Sequence, residues 1–488
     1  MSRNTRHAVV IGGGLGGLSI ALRLAVRGWR VTVWEQGPSF GGKMNRWTAA
    51  GFRFDTGPSL ITMPWVFEEL FAFAGVRMQD YLETAALAPV ARYVYPDGTT
   101  FHYSTSMPEL LPVIRGLEGN DRGFFEFMRL GARIYALSKD TFLRRPIGAP
   151  PDRKALGALR HAPVLRGWGN YQQTVNAYFR SAELRQLYGR YPTYVGSSPY
   201  RSPATLAIIP FIELVFGGWY IRGGLYRLVE ALCGLLEARG VALRADSPVE
   251  RIDTRGGRAS GVVLRGGERL AADVVVMNGD TSRTDGLLGE RAAEMPVDDR
   301  SLSGLVLLVG VKRRLEGLEH HNVYFSRDYT EEFRQLFDER RVPEDPTVYV
   351  NVPSRTEPSV APAGGETLFL MVNAPATGET WDAARIGAAR KSIFARLRAS
   401  GFPEIEGDIV VEHAVTPQTL SDRFGMPGGA IYGHHSHGWR NAFFRPANRR
   451  RGCAGLYCVG GSAHPGGGTP MVLLSAKIVE ELITRHEG

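Results

Sequence analysis

Cysteine is nearly missing from this chain of 488 residues, which holds only Cys233, Cys453 and Cys458. Three thiols build neither a disulfide framework nor a four-cysteine metal site. Cys233 sits in an apolar helical stretch and Cys458 in an apolar strand, so both read as small core residues in a reducing compartment. Unbroken hydrophobic runs are also scarce. The apolar run of 18 residues from Ala204 to Ile221 contains Pro210, Glu213, Gly217 and Gly218, which break it too often for a membrane span. Core packing and a re-entrant or monotopic membrane contact are its two readings. No secretory leader is expected, because the polar Met1–Arg6 leads straight into an apolar strand, and the chain should face the cytosol. Metal spacing is absent as well. His320 and His321 are adjacent in a strand-like stretch and should point to opposite faces, and His434, His435 and His437 lack an HxxxH partner. No metal is predicted.

Acids are rare where bases gather. Between Arg129 and Arg166 nine Lys or Arg face two acids, Asp140 and Asp152, which gives +7 of the chain's net +9 in 38 residues. Phe142, Leu143, Leu156, Leu159, Leu165 and Trp168 interleave with them, so anionic lipid headgroups suit this stretch better than nucleic acid, with a solvated basic face as the plainer reading. Trp439–Arg451 adds five arginines and no acid beside Phe443 and Phe444, either as more lipid-facing surface or as phosphate ligands.

What the chain does have is glycine in ordered places. Ala8–Ile11 reads as a buried parallel strand; Gly12, Gly14, Gly16 and Gly17 follow, and Leu18, Leu22 and Val26 then mark one face of a helix. Such a turn aims a helix N-terminus at a pyrophosphate. Glu35 closes the next strand 18 positions after Gly17, where its carboxylate can accept from both hydroxyls of an adenosine ribose and would repel a ribose phosphate. A second cluster, Gly41-Gly42-Lys43, leads to Phe54-Asp55-Thr56-Gly57-Pro58-Ser59. A third, Gly460-Gly461 through Gly468, precedes a helix for which Thr469 is the expected N-cap and Pro470 the first residue. A long cofactor touching all three clusters favours FAD over NAD.

Together these motifs resemble the flavin-dependent carotenoid desaturases, within the wider amine-oxidase-like flavoproteins. The resemblance is strong at both ends and weak from about 121 to 218. It implies that Gly41, Gly42 and Lys43 lie near the FAD diphosphate and ribityl chain. Gly57 and Pro58 would also bind the cofactor, Ser59-Leu60-Ile61-Thr62-Met63 would approach the isoalloxazine ring, the Val249 backbone the adenine, and Gly468, Thr469, Pro470 and Met471 the flavin pyrimidine edge. Many relatives carry an acid after the last glycine pair, where this chain has Ser462.

The implied fold is α/β: a Rossmann-like FAD-binding domain from residues 1–90, 222–290 and 445–488, a mixed-sheet substrate domain from 91–120 and 291–444, and a helical, membrane-facing subdomain over 121–221. Leu305–Val311, Val348–Val352 and Leu368–Asn373 are strand-like runs expected in one sheet, and Val249–Met277 reads as a four-stranded meander. The chain has no Ser/His/Asp order and no paired carboxylates on a helix face, which suits hydride removal from an allylic carbon of a carotenoid by flavin N5. Glu213, desolvated in its apolar run, is the candidate proton acceptor; pairing with Arg201 or Arg222 is the alternative. The expected activity is carotenoid desaturation on a hydrophobic isoprenoid, at the cytoplasmic face of a membrane and without nucleic acid. Oxidation of a terminal methyl, 3,4-desaturation of a hydroxycarotenoid, amine oxidation, and a non-redox prenyl-binding role of the GDP-dissociation-inhibitor type remain alternatives.

Overall fold

Consecutive residues of the first strand part to opposite sides of a parallel sheet, and that division organises one half of the molecule. The computed structural model describes residues 5–147, 169–291 and 294–488. Five parallel strands lie in the order Leu456–Cys458, Val274–Met277, His7–Ile11, Arg30–Trp34 and Ala242–Arg244. Ala8, Val10, Val31, Val33, Val274 and Val276 face one core, with the helices Leu15–Val26, Tyr226–Glu237 and Thr469–Glu487. Val9, Ile11, Val275 and Met277 face the other, where an antiparallel layer of Val249–Arg255, Arg258–Leu264 and Arg269–Ala271 covers them. Covering both faces is what lets these strands be continuously apolar. The expected meander is therefore one strand shorter, because Val274–Met277 pairs in the parallel sheet, its four side chains all buried between the two layers.

A second sheet of seven strands is mixed, in the order Ile409–Val415, Ser303–Val311, Glu366–Ala374, Val348–Asn351, His321–Tyr324, Ala91–Val94 and Thr100–Tyr103. All nine residues of Ser303–Val311 are buried. Leu305, Leu307 and Val309 pack towards the helix Ala383–Ala399, while Val306 and Leu308 meet Phe52 and Phe54. A third core is aromatic. Phe124, Phe127, Tyr171, Phe179, Tyr188 and Tyr191 join the helices Arg122–Ser138, Tyr171–Tyr178 and Ala182–Gly189.

The run from Ala204 to Ile221 is divided into the turn Ala204–Ala207, the helix Ile208–Phe216 and the strand Trp219–Ile221, with Gly217 at φ +71° between the last two. Among the described residues no helix is long and apolar enough to cross a membrane. Of the basic stretch, Arg129 and Arg133 lie on the helix Arg122–Ser138. Arg153, Lys154, Arg160 and Arg166, with Asp152, Leu156, Leu159, Leu165 and Trp168, lie outside the described residues. The carboxy-terminal helix begins one residue earlier than expected: Gly468 is the N-cap and Thr469 is already helical, so no side chain caps this end.

Candidate functional site

Gly17 is where the first helix and its preceding turn come closest, since a Cβ there would collide with the Gly12 carbonyl oxygen. Gly12 itself has φ +96°, and a Cβ would lie 2.8 Å from the Asn278 carbonyl oxygen. Gly14 is the N-cap of the helix Leu15–Val26, with no side-chain cap and no acid in the first turn, so the first N–H groups stay open to an external anion. Gly41 folds against this turn: its N–H donates to the Gly13 carbonyl at 2.8 Å, and a Cβ on Gly42 would lie 3.2 Å from the Gly14 Cα. Gly57 abuts the Lys43 carbonyl from the far side of the same loop, and Pro58 and Ser59 follow it, half-buried.

The carboxy-terminal glycines arrive at the same place. A Cβ on Gly16 would lie 2.5 Å from Asn278 Oδ1, 3.1 Å from Val472 and 3.3 Å from the Gly460 Cα, while Gly461 faces Gly467. Gly468, Thr469, Pro470 and Met471 form the start of the last helix, whose uncapped N-terminus thus stands beside the first. Asn278 is the hub: its Nδ2 donates to the Gly12 carbonyl at 3.0 Å.

Glu35 is engaged on both oxygens, accepting from Gly13 N–H at 2.8 Å and from Gly37 N–H at 2.8 Å. Its backbone carbonyl accepts from Ser247 N–H at 2.8 Å, which sets the strand beginning at Val249 alongside. Two uncapped helix N-termini, a glycine cradle and an acid ending the second strand fit a dinucleotide of FAD's length. Gly12, Gly14, Gly41 and Gly42 would hold the diphosphate, Glu35 the ribose and the 460–471 turn the flavin edge.

Several polar side chains gather near Ser59. Arg190, Tyr194, Tyr349, Tyr432 and Lys43 are surrounded by protein yet each keeps accessible surface. Ser59 Oγ and Tyr349 Oη are 2.5 Å apart. Lys43 Nζ donates to the Ile431 carbonyl at 2.7 Å, and burial pulls its ammonium down to about 8, opposed by Asp280. Ser462 Oγ accepts from Thr281 N–H at 3.0 Å.

Glu213 is buried on the helix Ile208–Phe216. Tyr191 Oη donates to its Oε1 at 2.6 Å and Tyr194 Oη to its Oε2 at 3.1 Å. Burial lifts its carboxyl above the usual range, with those two hydroxyls and Arg190 opposing. The expected arginine partners are elsewhere: Arg201 pairs with Asp338 and Arg222 with Glu83. His320 and His321 are not on opposite faces, because His320 precedes the strand His321–Tyr324; their rings are 4.5 Å apart. Desolvation keeps both neutral. No metal-binding group of three ligands exists among the described residues.

Two residues carry more than their sequence position suggested. Asp55, quoted only as part of a motif, accepts from Leu225 N–H at 2.9 Å and Tyr226 N–H at 3.3 Å, so it receives the start of the helix Tyr226–Glu237; burial lifts its carboxyl to about 6. Arg190 had no sequence signal, being one of many arginines in a helical region.

The sequence profile of the flavin-containing amine oxidoreductases matches residues 15–479. The chain is 37% identical to the zeta-carotene-forming phytoene desaturase of Myxococcus xanthus over 99% of this chain and 95% of that one. It is 34% identical to the 4,4'-diapolycopene oxygenase of a Methylomonas species over 99% of each. In fold it is similar to a triply substituted putrescine oxidase, with a TM-score of 0.65 at 16% identity and 99% of both chains covered. A glycine cradle built for a dinucleotide and a match along nearly the whole length agree: this chain belongs to the flavin-containing amine oxidoreductase family, among its carotenoid desaturases and their oxygenase relatives.

Proposed function

We propose that the protein is an FAD-dependent desaturase that forms a carbon–carbon double bond in a long isoprenoid polyene. The observation that carries this is the convergence of the Gly12–Gly17, Gly41–Gly42 and Gly460–Gly461 turns around Asn278, in a chain 37% identical to a zeta-carotene-forming phytoene desaturase over nearly its whole length. FAD, held by Gly12, Gly14, Gly41, Gly42 and Glu35, would supply the two-electron acceptor for a hydride leaving an allylic carbon. The polyene spreads the resulting positive charge along its own double bonds, so the chain has only to orient it, keep water out and receive one proton. Tyr194 donates to Glu213, and we assign it as the path by which the proton leaving the adjacent carbon reaches that carboxylate.

The three glycine turns are read as one FAD domain drawn from residues 1–90, 222–290 and 445–488, with 91–120 and 291–444 walling the substrate and 121–221 covering it. Long isoprenoids dissolve in bilayers, and Phe125, Val215, Trp439 and Phe444 are exposed on the helical side and near it, with Arg440 beside the last two. These residues are assigned to a peripheral contact with the cytoplasmic face of a membrane.

Purified protein should be yellow and bleach with dithionite. Expression in cells making phytoene, neurosporene or lycopene should shift pigment absorption to the red with no oxygen gained. A carbonyl product would instead establish the oxygenase reading, which the Methylomonas similarity supports. Colourless protein that cannot be reconstituted would remove both.

A further inference from the structure

Of the five arginines between Trp439 and Arg451, Arg445 is the one that is buried, with 6% of its surface exposed. Its Nη1 donates to the carbonyls of Tyr432 and His434, and its Nη2 to Ser436 Oγ at 3.0 Å. Lys43 reaches the same stretch from the second glycine cluster, donating to the Ile431 carbonyl. Two buried cations thus hold the backbone of residues 431–434 by its carbonyl oxygens. A carbonyl accepts from a cation but leaves its charge uncancelled.

That stretch lies on the third glycine turn. A Cβ on Gly433 would be 3.1 Å from the Ser462 Cβ, and one on Gly467 would be 2.4 Å from the Tyr432 ring. One on Gly466 would be 3.8 Å from Arg445 Nε, so this edge of the guanidinium faces the turn, and among the described residues its Nε makes no hydrogen bond. The acids nearby are engaged with other groups. Asp280 opposes the desolvation of Lys43, its Oδ1 accepts from Ser282 N–H and Oγ, and with Asp299 it faces His434. Among the described residues no carboxylate pairs with Arg445 within 4.0 Å. Burial draws it down to about 10, and it remains a cation at neutral pH.

An enclosed charge with no acid is costly, and a neighbour that turns negative offsets that cost. When a flavin accepts a hydride, the negative charge settles on its pyrimidine half, at N1 and C2=O. We propose that Arg445 tunes the cofactor: its uncancelled charge, acting across the Gly466 backbone, favours the reduced flavin over the oxidised one and so makes it a stronger hydride acceptor. Lys43, opposed by Asp280, serves mainly to hold residues 431–434 in place. Arg445 is not a catalytic residue, because it acts through the turn. This rests on the placement of the 460–471 turn at the flavin edge.

The test is the midpoint potential of the bound flavin, measured by titrating the holoenzyme with dithionite beside a reference dye. Arg445→Gln keeps donors for the 432–434 carbonyls and removes the charge. Its two-electron reduction equilibrium should fall at least about tenfold, which is about 30 mV. Arg445→Lys keeps the charge and should stay close to the unaltered protein. A smaller fall in Arg445→Gln, or an equal one in Arg445→Lys, overturns the assignment and leaves Arg445 as a clamp on the 432–434 backbone. If Arg445→Gln does not retain flavin, sulfite decides on the unaltered protein and Arg445→Lys. Sulfite adds to oxidised flavin and leaves negative charge on the same half of the ring, so both should bleach; no bleaching overturns the assignment. Unaltered protein that binds no FAD at all would instead defeat the cofactor reading itself.

Discussion

Asn278 Nδ2 donates to the carbonyl oxygen of Gly12 at 3.0 Å, from just past the strand Val274–Met277 and 266 residues further along the chain. Its Oδ1 faces Gly16 and Gly460, so a single amide braces the first and third glycine turns. Asn278→Ala would leave a half-buried carbonyl without its donor and a void between two turns. That loss is about 1–3 kcal/mol, and flavin affinity should fall about tenfold or more. Titrating apoprotein with FAD checks this; unchanged affinity would mean the turns hold their shape without the amide.

Glu35 fixes the other side of the cradle by accepting from Gly13 and Gly37 N–H groups. Glu35→Ala frees both donors and takes away the ribose acceptor. FAD retention through purification should drop sharply, and the thermal midpoint of the apoprotein should fall by a few degrees, since hydrogen bonds to a charged acceptor are worth about 1.5–3 kcal/mol each. If only FAD retention changes, the carboxylate serves the ribose and not the turn.

The strand–glycine–helix order was legible because each step has its own local cause: an apolar run, a turn only glycine can make, and helical spacing. The seven-stranded sheet was legible for a related reason, as Ser303–Val311 and Glu366–Ala374 are long runs without helical period. Ala242–Arg244 was not, since three residues are too few to show a pattern. Nor was the polar cluster near Ser59. Arg190, Tyr349 and His321 come from separate elements, and nothing local brings them together. Glu213 was visible as an acid in an apolar run, but its partners Tyr191 and Tyr194 lie about twenty positions upstream, and the sequence pointed to arginines instead.

Glu332 gives a pH dependence away from the site. Its carboxyl is buried on the helix Tyr329–Phe337, accepts from Ser326 Oγ at 2.6 Å and Thr347 Oγ1 at 2.7 Å, and is pushed by burial from 4.5 to about 7. A raised carboxyl binds its proton more tightly folded than unfolded. Its stabilisation is therefore complete below about pH 4.5 and is lost as pH rises to about 7, a change of about 3 kcal/mol at most. Glu332→Gln cannot ionise, so its thermal midpoint should gain on the unaltered protein by a few degrees between pH 5 and pH 8. A difference that does not vary with pH would show that the folded carboxyl titrates normally.

Glu213 and Tyr194 should behave as one unit. The carboxylate is linked to Arg190 by the Tyr194 hydroxyl, which donates to it at 3.1 Å and accepts from Arg190 at the same distance. If protons leave the substrate along this path, Glu213→Gln keeps the hydrogen-bonded shape but removes the basic site. Turnover should fall about tenfold to a hundredfold with flavin still bound, towards the lower end of what a positioned base contributes. Because burial raises the Glu213 pKa, the unaltered enzyme should lose activity as pH falls through that elevated value, and the variant should lack this limb. Tyr194→Phe breaks the same path, so the double variant should be little slower than either single one; two groups in series fail together, whereas independent contributions multiply. Single-turnover flavin reduction across pH separates these outcomes. Multiplicative losses, or an unshifted profile in Glu213→Gln, would leave Glu213 as a structural anchor for the two tyrosines and send the proton elsewhere.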